Sequence, residues 1–192
     1  MSAVLHIKNM VCPRCIETVQ SIMESNGLQV ESIKLGSVEI DQLPSDSQLD
    51  TLSSELKNRG FELLQDRKSQ IVEQVKSEII LWIHQNQELS IPTENLSDQL
   101  ARKLRMDYSA LSHIFSASVG LTIEKYAILQ KIEKVKELLS YDELTVSEIA
   151  FKLGYSSVAH LSSQFKKETG MTPGQFKKLK DQNRKTLDSI GS

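Results

Sequence analysis

The stretch NMVCPRC holds Cys12 and Cys15, the only two cysteines of the chain. An alternating run, AVLHIKNM, precedes them and a helical pattern follows, so both thiols fall at a helix N-terminus, where the dipole and unsatisfied backbone N–H groups favour thiolates. Two kinds of chemistry suit that arrangement. In one, a thiolate attacks a disulfide and its neighbour resolves the mixed disulfide. In the other, both sulfurs bind one soft metal ion. Against both stands the reading of two buried thiols that act as small apolar side chains. Thioredoxin-like dithiols belong to a different order of elements and use a cis-proline near the pair, whereas Pro44, the other proline of this region, precedes a helix. Met10 and Val11 flank the pair, no carboxylate lies inside the motif, and Glu17 stands two residues beyond Cys15. Such a sulfur site suits one monovalent copper or silver ion, because zinc wants four ligands.

The elements that must position the pair read as βαββαβ. Val4, His6 and Lys8 alternate with Leu5 and Ile7 in a strand, and Ile16, Val19, Ile22 and Met23 recur at helical spacing up to Asn26-Gly27. LQVESIKLG and SVEIDQL form two strands joined through Gly36. SDSQLDTLSSELKNRG is an amphipathic helix with Asp46 or Ser47 as its N-cap and Gly60 as its stop, and FELLQ is the last strand. This order is the ferredoxin-like arrangement. The fold class is therefore α+β: a sensor domain over residues 1–67, a connecting helix over 68–89 and an all-α domain over 90–192. In the connecting helix Ile71, Val75, Ile79 and Ile83 form an apolar stripe, widened by Val72, Ile80 and Trp82. It either docks on the domain that follows or forms a homodimer seam through residues 69–86.

Residues 4–66 resemble the heavy-metal-associated domains of copper chaperones and metal-pumping ATPases. The family's Met-x-Cys-x-x-Cys motif is matched at Met10, Cys12 and Cys15, and Phe61 stands where the family keeps an aromatic residue near the metal loop. The resemblance implies that Cys12 and Cys15 ligate the metal and that Met10 and Phe61 support the loop. Pro13 and Arg14 depart from the small or polar residues usual in that loop.

The second half differs in charge. Residues 1–87 carry 8 Lys and Arg against 12 Asp and Glu, residues 88–192 carry 15 against 13, and residues 166–185 carry 7 against 2. The overall net charge of -2 thus conceals a basic C-terminal part, which is where a polyanion would bind. TVSEIAFKLGYSSVAHLSSQFKKETGMTP reads as helix, turn, helix: Ile149, Ala150 and Leu153 are core positions, Gly154 makes the turn, and Leu161 and Phe165 are buried on the second helix. Ser157, Val158, Ala159, Ser163 and Lys167 are left facing outward. A similar unit lies upstream, with Leu100, Ala101 and Leu104 before a turn at Arg105 to Asp107. There Leu111, Ile114 and Phe115 are the buried face, and Tyr108, Ser109, Ser112, His113 and Ser116 the other. The helix between the units, about 17 residues or roughly 25 Å long, suits two readers in successive major grooves.

Residues 90–180 resemble the AraC family of bacterial transcription regulators, most closely over GYSSVAHLSSQFKKETGMTPGQFKK. The resemblance implies a domain with two helix-turn-helix motifs bound to double-stranded DNA. Ser109, Ser112 and His113 of one helix and Val158, Ala159 and Ser163 of the other would make base contacts. Tyr108, Ser116, Lys166, Lys167, Lys177 and Lys178 would contact phosphates. The base-facing groups are small, so readout is expected to use methyl contacts, water and DNA shape.

The chain is accordingly expected to be a cytoplasmic DNA-binding regulator that responds to a soft metal ion. The alternatives are a regulator with a Cys12–Cys15 redox switch and a metallochaperone-like protein. No apolar run reaches membrane-spanning length, no signal peptide is seen, and no acid, base or nucleophile constellation supports an enzyme.

Overall fold

The computed structural model describes residues 3–85 and 95–183. Its elements are β1 (Ala3–Lys8), α1 (Pro13–Ser25), β2 (Val30–Lys34), β3 (Ser37–Ile40), α2 (Asp46–Asn58), β4 (Glu62–Leu64) and α3 (Arg67–Gln85). They are followed by α4 (Leu96–Leu104), α5 (Tyr108–Val119), α6 (Ile123–Tyr141), α7 (Val146–Lys152), α8 (Val158–Thr169) and α9 (Pro173–Asn183). Two compact units are present. One combines Met1–Leu81 with Leu96–Ile123, the other Trp82–Asn95 with Glu124–Ser192. Parts of the expected segments at residues 86–94 and 184–192 lie outside the described residues.

In the first unit the four strands form one sheet in the order β2-β3-β1-β4, antiparallel at every pairing. Strand alternation sends Ile7, Val38 and Ile40 to one face, where Val19 and Met23 of α1 and Leu52 and Leu56 of α2 complete a core. Each such side chain removed from water stabilises the fold by about 1.5–3 kcal/mol. Alternation alone does not account for β2. A bulge between Val30 and Ser32 in the pairing with β3 inserts a residue, so Val30 and Ile33 both pack against the core. The cap of α2 is neither Asp46 nor Ser47 but Ser45. Its Oγ accepts from the Gln48 N–H while the Gln48 side chain accepts from the Ser45 N–H, a reciprocal capping box.

The opposite face of the sheet is covered by α3. Gln74 Nε2 lies 3.4 Å from His6 Nε2, the Asn9 N–H donates to Glu73 Oε1 at 3.1 Å, and Gln70 Nε2 donates to the Leu64 carbonyl at 2.9 Å. The approach is close enough to require glycine at position 36, where a Cβ would stand 2.6 Å from Ser77 Oγ. Lys103 of α4 also reaches α3, pairing with Glu78 at 2.6 Å. Ile71, Val75, Ile79 and Ile83 are all at most 8% exposed within the single chain. The stripe of the homodimer seam expected through residues 69–86 is thus already covered within the single chain, and residue 86 lies outside the described residues. A helix apolar on most of its circumference must be covered on more than one side, and the chain does that itself.

The two helix-turn-helix motifs share their internal geometry. In α4–α5, Leu100, Leu111 and Phe115 are fully buried, and the turn closes with the Met106 N–H on the Ala101 carbonyl, Arg105 having φ 52°. In α7–α8, Ile149, Leu161 and Phe165 are fully buried, and the Tyr155 N–H bonds the Ala150 carbonyl, Gly154 having φ 67°. Both second helices end on a left-handed glycine, Gly120 donating to Ser116 O and Gly170 to Lys166 O. Leu111, Phe115 and Gly120 thus repeat as Leu161, Phe165 and Gly170, in keeping with the similar unit expected upstream. Ile114, expected to be buried, is only half-buried. The intervening α6 is 19 residues long, roughly 28 Å.

Candidate nucleic-acid interface and cysteine loop

The buried pairs Leu111/Phe115 and Leu161/Phe165 fix which face of α5 and α8 turns outward. On α5 that face presents Ser109 and His113, with Ser112 and Ser116 half-buried beside them. The Ser116 hydroxyl donates to the Ser112 carbonyl at 2.7 Å, so its proton is committed to its own helix and its lone pairs remain as acceptors. Tyr108 is half-buried in the first turn. On α8, Val158, Ala159 and Ser163 are exposed, and Lys166 and Lys167 stand in the last turn, Lys166 exposed and Lys167 exposed beside it. Lys178 of α9 lies near them in sequence, but Lys177 pairs with Asp142, so part of its charge is already neutralised.

The first turn of α8 is built more tightly than its residue types suggest. Ser157 is the N-cap, its Oγ accepting from the His160 N–H at 3.0 Å, while Ser156 Oγ lies 3.0 Å from His160 Nδ1. The Tyr155 ring meets His160 edge-on at 5.4 Å, and its hydroxyl donates to Gln164 Oε1 at 2.8 Å. Burial pushes the Tyr155 pKa up to about 12, so the phenol stays a donor at any ordinary pH. The sequence by itself assigns no role to Ser156 and Gln164. The signal for the first is the Ser-Ser pair ahead of a helix, a capping pattern. Behind the motif, Lys131 donates to the Leu153 carbonyl at 3.0 Å and sits 4.6 Å from the Trp82 ring centroid, which locks the end of α7.

The cysteines lie in the first unit. Cys12 is the N-cap of α1, Pro13 follows it, and the Cys15 N–H donates to the Cys12 carbonyl, bringing the two Sγ atoms to 3.3 Å with no disulfide between them. Burial pushes the Cys15 thiol up, but hydrogen bonds from the Val11 backbone, the Cys12 thiol and the backbone of Cys12 and Cys15 together outweigh it. The net shift is below the ordinary 9.0. Met10 is fully buried under the loop and Phe61 is 8% exposed in the same core. Asn9, in the left-handed region at φ 73°, is held by its side chain to the Gly60 carbonyl at 2.9 Å and by its N–H to Glu73. Glu17 is exposed. Among the described residues no group of three or more His, Cys, Asp or Glu could hold a metal ion. The loop offers two sulfurs, which fits a soft low-coordinate ion and does not fit a closed tetrahedral zinc centre.

Comparison with known proteins bears on the helical part. Residues 100–179 match the family model of a helix-turn-helix domain. YtdP of Bacillus subtilis, an uncharacterized helix-turn-helix transcriptional regulator, is 25% identical over 171 residues, covering 87% of this chain and 22% of the relative. The melibiose operon regulatory protein of Escherichia coli is 29% identical over 111 residues, 58% of this chain and 35% of the relative. The chain therefore spans well under half the length of these relatives. Among solved structures, the C-terminal domain of AraT, a response regulator from Geobacillus stearothermophilus, shares the fold with TM-score 0.51 and 24% identity, over 66% of this chain and 97% of that domain.

Over residues 100–179 the chain is thus similar to a helix-turn-helix domain, and its helical part shares the fold of that solved domain. By name, these two relatives are a transcriptional regulator and an operon regulatory protein. Among the described residues no helix is long and apolar enough to cross a membrane.

Proposed function

We propose that this chain is a sequence-specific DNA-binding transcription regulator in which α5 and α8 each read a major groove. The observation that carries this is the shared geometry of the two motifs: matching turns and buried residues present Ser109 and His113 on one helix and Val158, Ala159 and Ser163 on the other. Groups of this size select bases through methyl contact, water and DNA deformability, while Lys166, Lys167 and Lys178 supply sequence-independent attraction to phosphate. Selection from random duplex DNA by the full chain tests this. Ser163→Ala and His113→Ala should each change preference at a single position, and Lys167→Ala should weaken all sequences alike. Uniform weakening by all three variants would place base readout on another face.

The first module is, on this proposal, a ferredoxin-like domain of the heavy-metal-associated kind over residues 1–67, with residues 68–89 connecting it to a DNA-binding region over 90–192. Its support is the βαββαβ order with the sheet order β2-β3-β1-β4 and the Met10-x-Cys12-x-x-Cys15 loop. Cys12 and Cys15 bind one monovalent copper ion, releasing protons as the thiols ionise. A redox switch is the second reading, favoured by the 3.3 Å separation of the sulfurs. Competition titration separates them: monovalent copper bound at one per chain and lost in Cys12→Ser supports the first. Zinc outcompeting copper overturns it, and oxidation to one internal disulfide with no copper uptake supports the second.

A further inference from the structure

The face of the sheet opposite the apolar core does not close completely against α3. Val4 and His6 of β1, Lys34 of β2 and Ser77 of α3 line a cavity of about 280 Å³, completed by Leu104 and Arg105 at the end of α4. All of these residues belong to the first compact unit. None belongs to the cysteine loop.

Three features set this cavity apart from a packing defect. Ser77 is 4% exposed, and its Oγ is buried without a hydrogen-bond partner. A buried hydroxyl left unsatisfied is unfavourable, and an atom of a bound molecule would satisfy it. The charges are uneven: Lys103 is neutralised by Glu78, and Glu39, which accepts from Ser32 Oγ at 3.1 Å and stays charged, offsets only one of Lys34 and Arg105, neither of which has a carboxylate partner among the described residues. Val4, Leu35, Leu81 and Leu104 supply an apolar part of the wall, beside the polar His6, Ser37 and Gln74. Unpaired cations at a partly apolar, concave site with a convergent hydroxyl match an anionic head on an apolar body.

We infer that this cavity binds a small organic monoanion, a carboxylate on an aliphatic or aromatic body. Lys34 and Arg105 hold the charged end, Ser77 donates a hydrogen bond, and Val4, Leu35, Leu81 and Leu104 cover the body. Arg105 is also the left-handed residue of the α4–α5 turn, so a molecule held there acts on the segment that aims α5. That last consequence rests on the DNA-reading role of α5; occupation of the cavity does not.

Calorimetric titration of the full chain with octanoate and benzoate, each against its neutral amide, tests the proposal. Saturable binding of at least one carboxylate is expected, with the amide at least about tenfold weaker and a similar loss in Lys34→Gln and in Arg105→Gln. Ser77→Ala should weaken the carboxylate several-fold while leaving folding stability undiminished, since it deletes no hydrogen bond. No saturable binding of either acid, equal binding of acid and amide, or indifference to both charge variants would overturn it. A gel shift on selected DNA is read separately. Altered DNA affinity with the acid in wild type and not in Lys34→Gln supports the coupling, and unaltered affinity with the cavity occupied overturns the coupling. Absence of any DNA binding both with and without the acid counts against the regulator reading alone.

Discussion

Arg105 holds in the first helix-turn-helix the left-handed backbone conformation that Gly154 holds in the second, at φ 52° and 67°. A residue with a Cβ gives up about 1–2 kcal/mol in this region, and glycine does not. Open space surrounds a Cβ built at Gly154, so Gly154→Ala should cost about 1 kcal/mol from backbone strain alone. Arg105→Gly should change stability by less than about 1 kcal/mol, because relief of strain and added freedom of the unfolded chain oppose each other. Urea denaturation measures both. A Gly154→Ala chain as stable as wild type would mean that the turn relaxes out of the left-handed region.

Phosphate attraction should be distributed unevenly among the lysines. Lys166 and Lys167 stand in the last turn of α8, while Lys177 is engaged by Asp142. Each of Lys166→Ala and Lys167→Ala should reduce the slope of log affinity against log salt by about 0.9, and Lys177→Ala by distinctly less. Equal slope changes for all three would show that the Asp142 pair opens on DNA.

Glu73 is 5% exposed and accepts the N–H of the strained Asn9 at 3.1 Å, with Lys76 3.9 Å away. Glu73→Ala would orphan that N–H and loosen the base of the cysteine loop, costing about 1–3 kcal/mol. Glu73→Gln keeps a carbonyl acceptor and should cost less. Thermal and urea unfolding of the pair decide it, and equal losses would mean that the negative charge, not the hydrogen bond, is what α3 supplies there.

Burial holds the His6 imidazole below its ordinary 6.5, the hydrogen bond to the Gly36 backbone opposing and the Lys34 ammonium adding to the depression. A base whose folded pKa is depressed takes up its proton more readily when unfolded. Its stabilising effect is therefore full above pH 6.5 and is lost as pH falls through 6.5 toward the folded value. His6→Gln should flatten the decline in stability between about pH 7 and 5. Parallel curves for the two proteins would assign the acid sensitivity to another group.

Local chemistry in the sequence determined where most elements lie and which faces they bury. Leu161 and Phe165 are four apart before Gly170, Val19 and Met23 likewise before Gly27, and these spacings define a buried helical stripe and its stop without reference to anything distant. The Cys12–Cys15 spacing behind a strand is local in the same sense. What the stripe on α3 is buried against was not legible, because apolar burial is non-directional: the four-residue spacing of Val75 and Ile79 calls for cover but does not say which surface provides it. Only the folded chain sets Ser77 over Gly36, Glu73 beside Asn9 and Lys177 on Asp142, and only the pairing with β3 reveals the bulge that turns Val30 inward. Those relationships join residues far apart in the chain, whose meeting is settled by the packing of whole elements and not by the preferences of any short segment.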